Sequence, residues 1–275
     1  MSSHRCSPKL SSLLAFALLA TTAACSDTAS HAIGIAGSEA VRTDGPALAD
    51  GWTIQFDSVI VVVHHPALIE QTDDDPAWVR RLGVTVWDLA LPFEGDATNF
   101  SIYEAGLRAS TYDGFDFRIA PPSAEGGYAA AAGNVDEDTL AAVVEADLAL
   151  RVVGSASDGM QTIAFDWSFS TDTLRRCAIE LELAADAPGE TTIEVAAERL
   201  FASPAGDAPV IGFAAIAAAD ADGDGTVTLD ELAAAPAPNG SGAADLLAFV
   251  VEQSRSLAGV AGASGCEIID ASSDE

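Results

Sequence analysis

Basic side chains are scarce in this chain of 275 residues. Lysine and arginine together number 12, against 42 aspartates and glutamates, and the net charge at pH 7 is −30. The single lysine is Lys9. Such a surface repels the phosphates of nucleic acids and of anionic membrane lipids, so we expect neither as a partner. Its acidity can instead hold cations diffusely or reflect a salty habitat.

Side chains that carry catalysis are also few. Of four histidines, His31 falls in a stretch that we predict to be a flexible tether, and His64 and His65 end a strand just before Pro66. Neighbours on a strand point to opposite faces, so this pair does not readily share one metal ion. The sequence has no G-x-S-x-G, H-E-x-x-H, glycine-rich phosphate loop or C-x-x-C motif. We therefore predict that the protein is not an enzyme.

Paired carboxylates leave one enzymatic alternative open. Glycoside hydrolysis needs two acids about 5–10 Å apart, and the aspartates at positions 73–75 or the pair Asp113 and Asp116 are the places to look. The first set resembles a solvated loop before Pro76, and the second resembles turn chemistry that leads into a strand. A calcium-dependent hydrolase of this kind remains the alternative to a binding or structural protein.

Cysteine is rare, with four residues in the chain. Two of them, Cys177 and Cys266, lie far from the amino terminus, and in an exported protein a disulfide between them is the default expectation. The alternative is two unrelated buried thiols. A bridge over so long a loop would stabilise the fold by about 4–5 kcal/mol on the chain-entropy account.

The first 24 residues have the layout of an export signal. Arg5 and Lys9 precede an apolar run over residues 10–20, which is too short to span a membrane as a helix. The four residues that end at Cys25, T-A-A-C, resemble the lipobox of bacterial lipoproteins. This resemblance implies that Cys25 is lipidated and becomes the mature amino terminus, and Ser26 implies sorting to the outer membrane. Plain secretion, to the periplasm or beyond the cell, is the alternative.

Two regions with different patterns follow. Residues 25–50, rich in small and polar residues, predict a flexible tether, and residues 51–202 alternate apolar and polar positions as half-buried strands do. Trp52 and Trp167 fall on the apolar side and are predicted to be core residues. Val59 to Val63 is continuously apolar and predicts a central strand, and Asp136 begins the convincing helix of this region. We therefore expect a mainly β fold, an antiparallel β-sandwich, with a partly open barrel as the alternative.

Residues 220–231 read D-A-D-G-D-G-T-V-T-L-D-E and place aspartates at three alternate positions. This sequence resembles the EF-hand loop at every position that the pattern D-x-[DN]-x-[DN]-G-x5-E fixes. The resemblance implies that Ca²⁺ is bound by oxygens of six residues and that Gly225 makes the sharp turn between them. The six implied ligands are Asp220, Asp222, Asp224, the Thr226 carbonyl, Thr228 and Glu231.

The flanks of this loop differ from those of calcium sensors. Asp207 can cap an entering helix with Phe213, Ile216 and Ala219 on one stripe, but Pro236 ends the leaving helix early. Sensors such as calmodulin pair two hands, whereas this chain has no second loop and, beyond the first residue, one methionine, Met160. The partner of the short strand at Val227 stays open. We expect a structural hand rather than a switch.

The chain after residue 202 is predicted to be mostly helical. A second helix should open near Ser241 and end near Gly259, the hand and this helix together should occupy residues 203–266, and residues 267–275 should form an acidic tail. The buried stripe of this second helix should consist of Leu246, Phe249, Val250 and Leu257. The expected architecture is thus a β-sandwich followed by a small helical EF-hand appendage.

Three further stretches extend the likeness to lipoproteins. D-G-W-T-I-Q-F from Asp50, W-S-F-S-T-D-T from Trp167 and Q-S-R-S-L-A-G from Gln253 loosely resemble uncharacterised bacterial lipoproteins of similar length. The resemblance implies that the hand and the strand-rich body belong together, and it brings no assigned activity. We expect an exported, lipid-anchored calcium-binding protein whose body is structural or binds a protein or carbohydrate ligand, with a surface adhesion module as a further alternative.

Overall fold

A computed structural model describes residues 28–43, 47–70, 77–92, 99–124, 126–185, 187–201, 212–238, 241–263 and 265–269. Several predictions concern residues outside these ranges. They are the export signal at 1–24, the lipidation site Cys25, the aspartates at 73–75, the helix cap Asp207 and residues 270–275 of the acidic tail.

Strands dominate the described part of the chain. The strands are β1 (Thr28–Gly37), β2 (Thr53–Glu70), β3 (Ala77–Arg80), β4 (Val84–Asp88), β5 (Phe100–Arg108), β6 (Thr111–Ile119), β7 (Ala130–Ala132), β8 (Leu150–Ser157), β9 (Thr162–Phe169), β10 (Thr173–Glu182), β11 (Gly189–Val195), β12 (Thr226–Val227), β13 (Ala258–Val260) and β14 (Gly265–Ile269). The helices are α1 (Glu39–Arg42), α2 (Glu137–Glu145), α3 (Ala214–Ala217), α4 (Leu229–Ala234) and α5 (Leu246–Ser254). In these residues, no helix is long and apolar enough to cross a membrane.

The strands form two sheets that share one core. The smaller sheet has the order β13-β11-β1-β5, and the larger follows the path β12-β9-β8-β2-β6-β10-β14. Strands β3 and β4 also pair with β2, and β7 pairs with β4. Buried residues of both sheets, such as Ile35 and Ile193 of the smaller and Ile54 and Phe165 of the larger, belong to one apolar cluster. The prediction of a mainly β, sandwich-like body with C-terminal helices is therefore confirmed.

Strand β2 is the centre of the larger sheet, as its apolar run predicts. Val59, Val61 and Val63 face the main core, whereas Ile60 and Val62 face a second, smaller cluster. Helix α2 supplies Val143 to that second cluster. Asp136 caps α2 through a hydrogen bond from the Thr139 N–H, at the position that the sequence indicates. Because both faces of β2 are covered over residues 59–63, its sequence does not alternate there.

The flexible tether predicted for residues 25–50 is wrong where the structure describes it. Thr28–Gly37 forms β1, which pairs in parallel with β11 and antiparallel with β5. Every second side chain of its first half is buried, namely Ala29, His31 and Ile33. The small residues conceal this alternation, because alanine, glycine and serine are as common in linkers as in tightly packed strands.

The segment from residue 203 onward is less helical than predicted. Helix α5 begins after its cap Asp245 rather than near Ser241, and it ends at Ser254, so Gly259 lies in β13 instead of stopping a helix. The four residues of the predicted stripe are nevertheless buried: Leu246, Phe249, Val250 and Leu257. Strands β12, β13 and β14 extend the two sheets, and β14 takes residues 265–269, including part of the predicted acidic tail.

The two distant cysteines meet where the chain returns to the body. Cys177 of β10 and Cys266 of β14 are directly opposite in an antiparallel pair and are joined as a disulfide. Their predicted pairing is confirmed. The bridge closes a loop with a sequence separation of 89 residues and ties the last described strand to the larger sheet.

Candidate metal centre

Three carboxylates converge in the loop between α3 and α4. One ligand oxygen from each of Asp220, Asp222 and Asp224 can be chosen so that all lie within 4.8 Å of one another. Asp220 is partly buried, and the other two are exposed. Like charges this close repel one another unless a cation is shared among them. All the donors are hard oxygens, the set that Ca²⁺ and Mg²⁺ prefer, so the residues present fit a calcium ion.

The loop backbone holds these carboxylates in place. The N–H groups of Gly223 and Gly225 donate to the two oxygens of Asp220 at 2.9 and 3.0 Å. The N–H of Asp224 donates to Asp222 at 3.1 Å, and the N–H of Thr226 donates to Asp224 at 2.7 Å. Each carboxylate oxygen has two lone pairs, so these bonds fix orientation and leave capacity for a metal.

Two glycines make the turns of the loop. Gly225 has φ of 82°, the left-handed conformation for which the sequence predicts glycine at this position. Gly223 has φ of 73° and is a second such turn, which the loop pattern leaves unspecified. An L-residue at either position would be strained, and the pair of glycines lets the chain wrap around the three carboxylates.

Glu231 and Thr228 form a capping box at the start of α4. The Glu231 Oε2 atom accepts bonds from the N–H and the hydroxyl of Thr228, each at 2.9 Å, and Oε1 accepts from the Ala221 N–H at 3.1 Å. These bonds, first those from Thr228, lower the pKa of Glu231 below its ordinary value. The glutamate thereby ties α4 to the beginning of the loop. It lies outside the cluster in which every pair of ligand atoms falls within 4.8 Å.

The short strand of the loop, β12, has its partner in the body. It runs parallel to β9, with Thr226 opposite Ala164 and Val227 opposite Phe165. The side chain of Val227 is fully buried in the main core. The sequence left this partner open, and the structure shows that it is β9, a strand of the large sheet.

The entering helix is likewise fixed by the body. Phe213, at its start, lies 5.2 Å from Trp52 and 5.4 Å from Phe201 between ring centroids. The first N–H of α3, that of Ala214, donates to Asp50 Oδ2 at 2.8 Å. Ile216, one turn further on, is fully buried, as the predicted stripe requires. Sequence reasoning missed Asp50, because a capping acceptor 164 residues away in the chain leaves no local pattern.

The three histidines considered above as candidates are buried, and each has a ring nitrogen within hydrogen-bond distance of a partner. His64 is buried with Nε2 3.1 Å from the Ala120 carbonyl oxygen, and Nδ1 of His65, also buried, accepts from the Gly83 N–H at 2.9 Å. His31, predicted to lie in a tether, is 1% exposed, and its Nε2 is 3.1 Å from the Thr191 hydroxyl.

Asp116, one of the two carboxylates considered above as a hydrolytic pair, forms an ion pair with an arginine. Asp116 is buried and accepts bonds from Arg176, its cross-strand neighbour, with the Nη2–Oδ2 distance at 2.8 Å. This bidentate geometry makes Asp116 half of an ion pair. Asp113 is on the same strand, β6, three positions earlier.

No protein-family model, no curated protein and no solved structure matches the chain.

Proposed function

We propose that this protein binds one calcium ion in the loop 220–231. The observation that carries the proposal is the convergence of three aspartates on a loop whose glycines, flanking helices and sequence spacing all fit an EF-hand. Asp220, Asp222 and Asp224 would supply carboxylate oxygens. The Thr226 carbonyl, Thr228 and Glu231 would complete the ligand set.

The choice of calcium follows from the donors. The loop offers carboxylate, carbonyl and hydroxyl oxygens and has neither histidine nor cysteine, which disfavours zinc and copper. Mg²⁺ demands a smaller, near-octahedral site, whereas Ca²⁺ accepts the larger and more irregular shell that a flexible loop provides. A single hand of this kind should bind with a dissociation constant on the order of 10⁻⁵–10⁻³ M.

The ion would have a structural role. Val227 and Leu232 are fully buried, and α4 ends at Ala234 before Pro236, so the hand lacks a long helix that could swing away. The one methionine in the described residues, Met160, lies 92% exposed in a hairpin turn of the body. These features differ from the Met-rich groove that sensor hands expose.

The cellular setting is proposed from the sequence alone. The lipobox-like residues up to Cys25 support export and attachment of the protein to the outer membrane or cell surface through a lipid. A Cys25→Ser variant should then move from the membrane fraction to the soluble fraction, since a hydrophilic chain needs the acyl groups to stay there. Mass spectrometry that finds an unmodified amino terminus at or beyond Cys25 would rule the anchor out.

Isothermal titration of the chelator-treated protein with CaCl₂ tests the calcium site. We expect one-to-one binding that Asp222→Asn weakens at least tenfold, because this exchange removes one ligand charge and keeps the Oδ1 acceptor for the Asp224 N–H. Asp230→Asn is the matched control, since it removes one charge at a loop position that the EF-hand pattern does not use. Glu231→Gln should also weaken binding. Equal affinities for the Asp222 and Asp230 variants would contradict the assignment.

A further inference from the structure

One edge of β12 is bonded to the body at two points. The Ala164 N–H of β9 donates to the Gly225 carbonyl oxygen at 2.8 Å. The indole N–H of Trp167, further along β9, donates to the Val227 carbonyl oxygen at 2.8 Å. The loop residues on either side of Thr226 are therefore both held by one strand of the large sheet.

This arrangement has a consequence for Thr226, the residue between the two bonded carbonyls. Successive carbonyl groups of an extended chain point to opposite edges. Because the carbonyls of Gly225 and Val227 face β9, the carbonyl of Thr226 faces the other edge, away from the sheet. The Gly225 N–H meanwhile donates to Asp220 at 3.0 Å, so one peptide segment links the body strand to the first carboxylate.

The Trp167 indole, which donates to the Val227 carbonyl, is held in place by aromatic packing. Trp167 is fully buried, and its ring lies 5.0 Å from that of Phe165 and 5.7 Å from that of Phe201. Phe201 in turn contacts Phe213 at the start of the entering helix. The indole N–H is thus aimed at the loop by an aromatic cluster that also supports the hand's first helix.

We propose that Trp167 is a positioning residue for the calcium loop and that β9 replaces the second hand of a paired EF-hand; this inference rests on the calcium site proposed above. Without the ion, repulsion among the three aspartates favours opened loop conformations. The bonds from β9 oppose that opening and keep the Thr226 carbonyl on the ligand side. Apparent affinity falls with the fraction of loops in the competent conformation, so loss of the indole bond weakens calcium binding. By reciprocity, calcium strengthens the pairing of β12 with β9.

The first test is calcium titration of Trp167→Phe, which removes the indole N–H and keeps an aromatic ring in the cluster. We expect the dissociation constant to rise about two- to tenfold, the range that one net hydrogen bond allows. Trp87→Phe is the matched control. Trp87 is buried, its Nε1 donates one bond of 3.0 Å to Thr85, and its strand β4 pairs with β2 and β7 rather than with β9 or β12. Its loss should leave calcium affinity unchanged.

The second test uses the wild-type protein and so holds even if the Trp167 variant fails to fold. Calcium should slow hydrogen exchange at the Ala164 amide, whose acceptor is Gly225, while the amides of β5 at the far edge of the smaller sheet keep their rates. Slowing at Ala164 supports the inference. Unchanged exchange at Ala164, or equal effects of the Trp167 and Trp87 substitutions on affinity, would overturn it while leaving calcium binding intact. A wild-type protein that binds no calcium would remove the proposed function and this inference together.

Discussion

Asp50 Oδ2 accepts a hydrogen bond from the Ala214 N–H at 2.8 Å, although the two residues are 164 positions apart. Asp50 lies just before β2, and Ala214 is the first residue of α3. The entering helix of the candidate calcium hand is therefore capped by the strand-rich body.

This contact predicts different outcomes for two substitutions at Asp50. Asp50→Ala removes the acceptor and should lower the free energy of unfolding by about 1 kcal/mol, a typical value for loss of a capping side chain. Asp50→Asn keeps a side-chain oxygen that caps as well, so it should have little effect. Urea unfolding of the two variants measures the difference. Equal destabilisation by both would show that charge, not capping, matters at this position.

Calcium should raise the melting temperature of the wild-type protein. At a free concentration one hundred times the dissociation constant, binding to the folded state alone adds about 2.7 kcal/mol, which corresponds to about 5–10 °C for a chain of this size. Asp222→Asn should abolish most of this rise. Without calcium the same variant should be slightly more stable than the wild type, because the exchange removes one of three repelling charges. Scanning calorimetry with chelator and with calcium tests both expectations, with Asp230→Asn as the control.

The disulfide between Cys177 and Cys266 should contribute strongly to stability. On the chain-entropy account, a closed loop with a separation of 89 residues is worth about 4–5 kcal/mol. Replacement of both cysteines by alanine should lower the free energy of unfolding by up to this amount. Denaturation of the double variant beside the oxidised protein measures the loss. Rapid labelling of both thiols in the native protein would contradict the bridge.

The sequence predicts those strands in which large apolar side chains alternate with polar ones. Ile163, Phe165 and Trp167 mark β9 in this way, and all three are buried where the alternation places them. Strand β1 carries the same period in alanine, histidine and isoleucine, and the small residues disguise it as a linker. Strands β13 and β14 are short and belong to the sheets through pairing with residues far away in the chain, so no local period reveals them.

The candidate metal site likewise combines a local sequence pattern with contacts between residues far apart in the chain. The spacing of Asp220, Asp222 and Asp224 is a local pattern, and the structure brings these three carboxylates together. The contacts that position the loop are long-range, since Trp167 bonds Val227 across 60 residues. A core tryptophan is predicted from alternation, but which carbonyl its indole N–H finds depends on the packing of two sheets and a helix. The sequence therefore predicts the three clustered carboxylates better than the contacts that position their loop.

His31 should make the fold sensitive to mild acid. Burial lowers the pKa of its imidazole, and the negative charge of Glu190 opposes this shift only in part. As the pH falls, His31 of the unfolded chain therefore binds a proton near pH 6.5, whereas His31 of the folded protein binds it only at lower pH. The contribution of His31 to stability is complete above that pH, and it is lost progressively as the pH falls below it. His31→Gln keeps a side-chain amide that can bond the Thr191 hydroxyl and does not titrate.

The measurement is urea unfolding of the wild type and His31→Gln at pH 7.5 and at pH 5.5. Both proteins share every other ionisable side chain, so contributions from those side chains cancel when the two pH dependences are subtracted. We expect the wild type to lose more stability than the variant between the two pH values. Parallel losses would show that the buried imidazole of β1 takes up its proton as readily in the folded protein as in the unfolded chain.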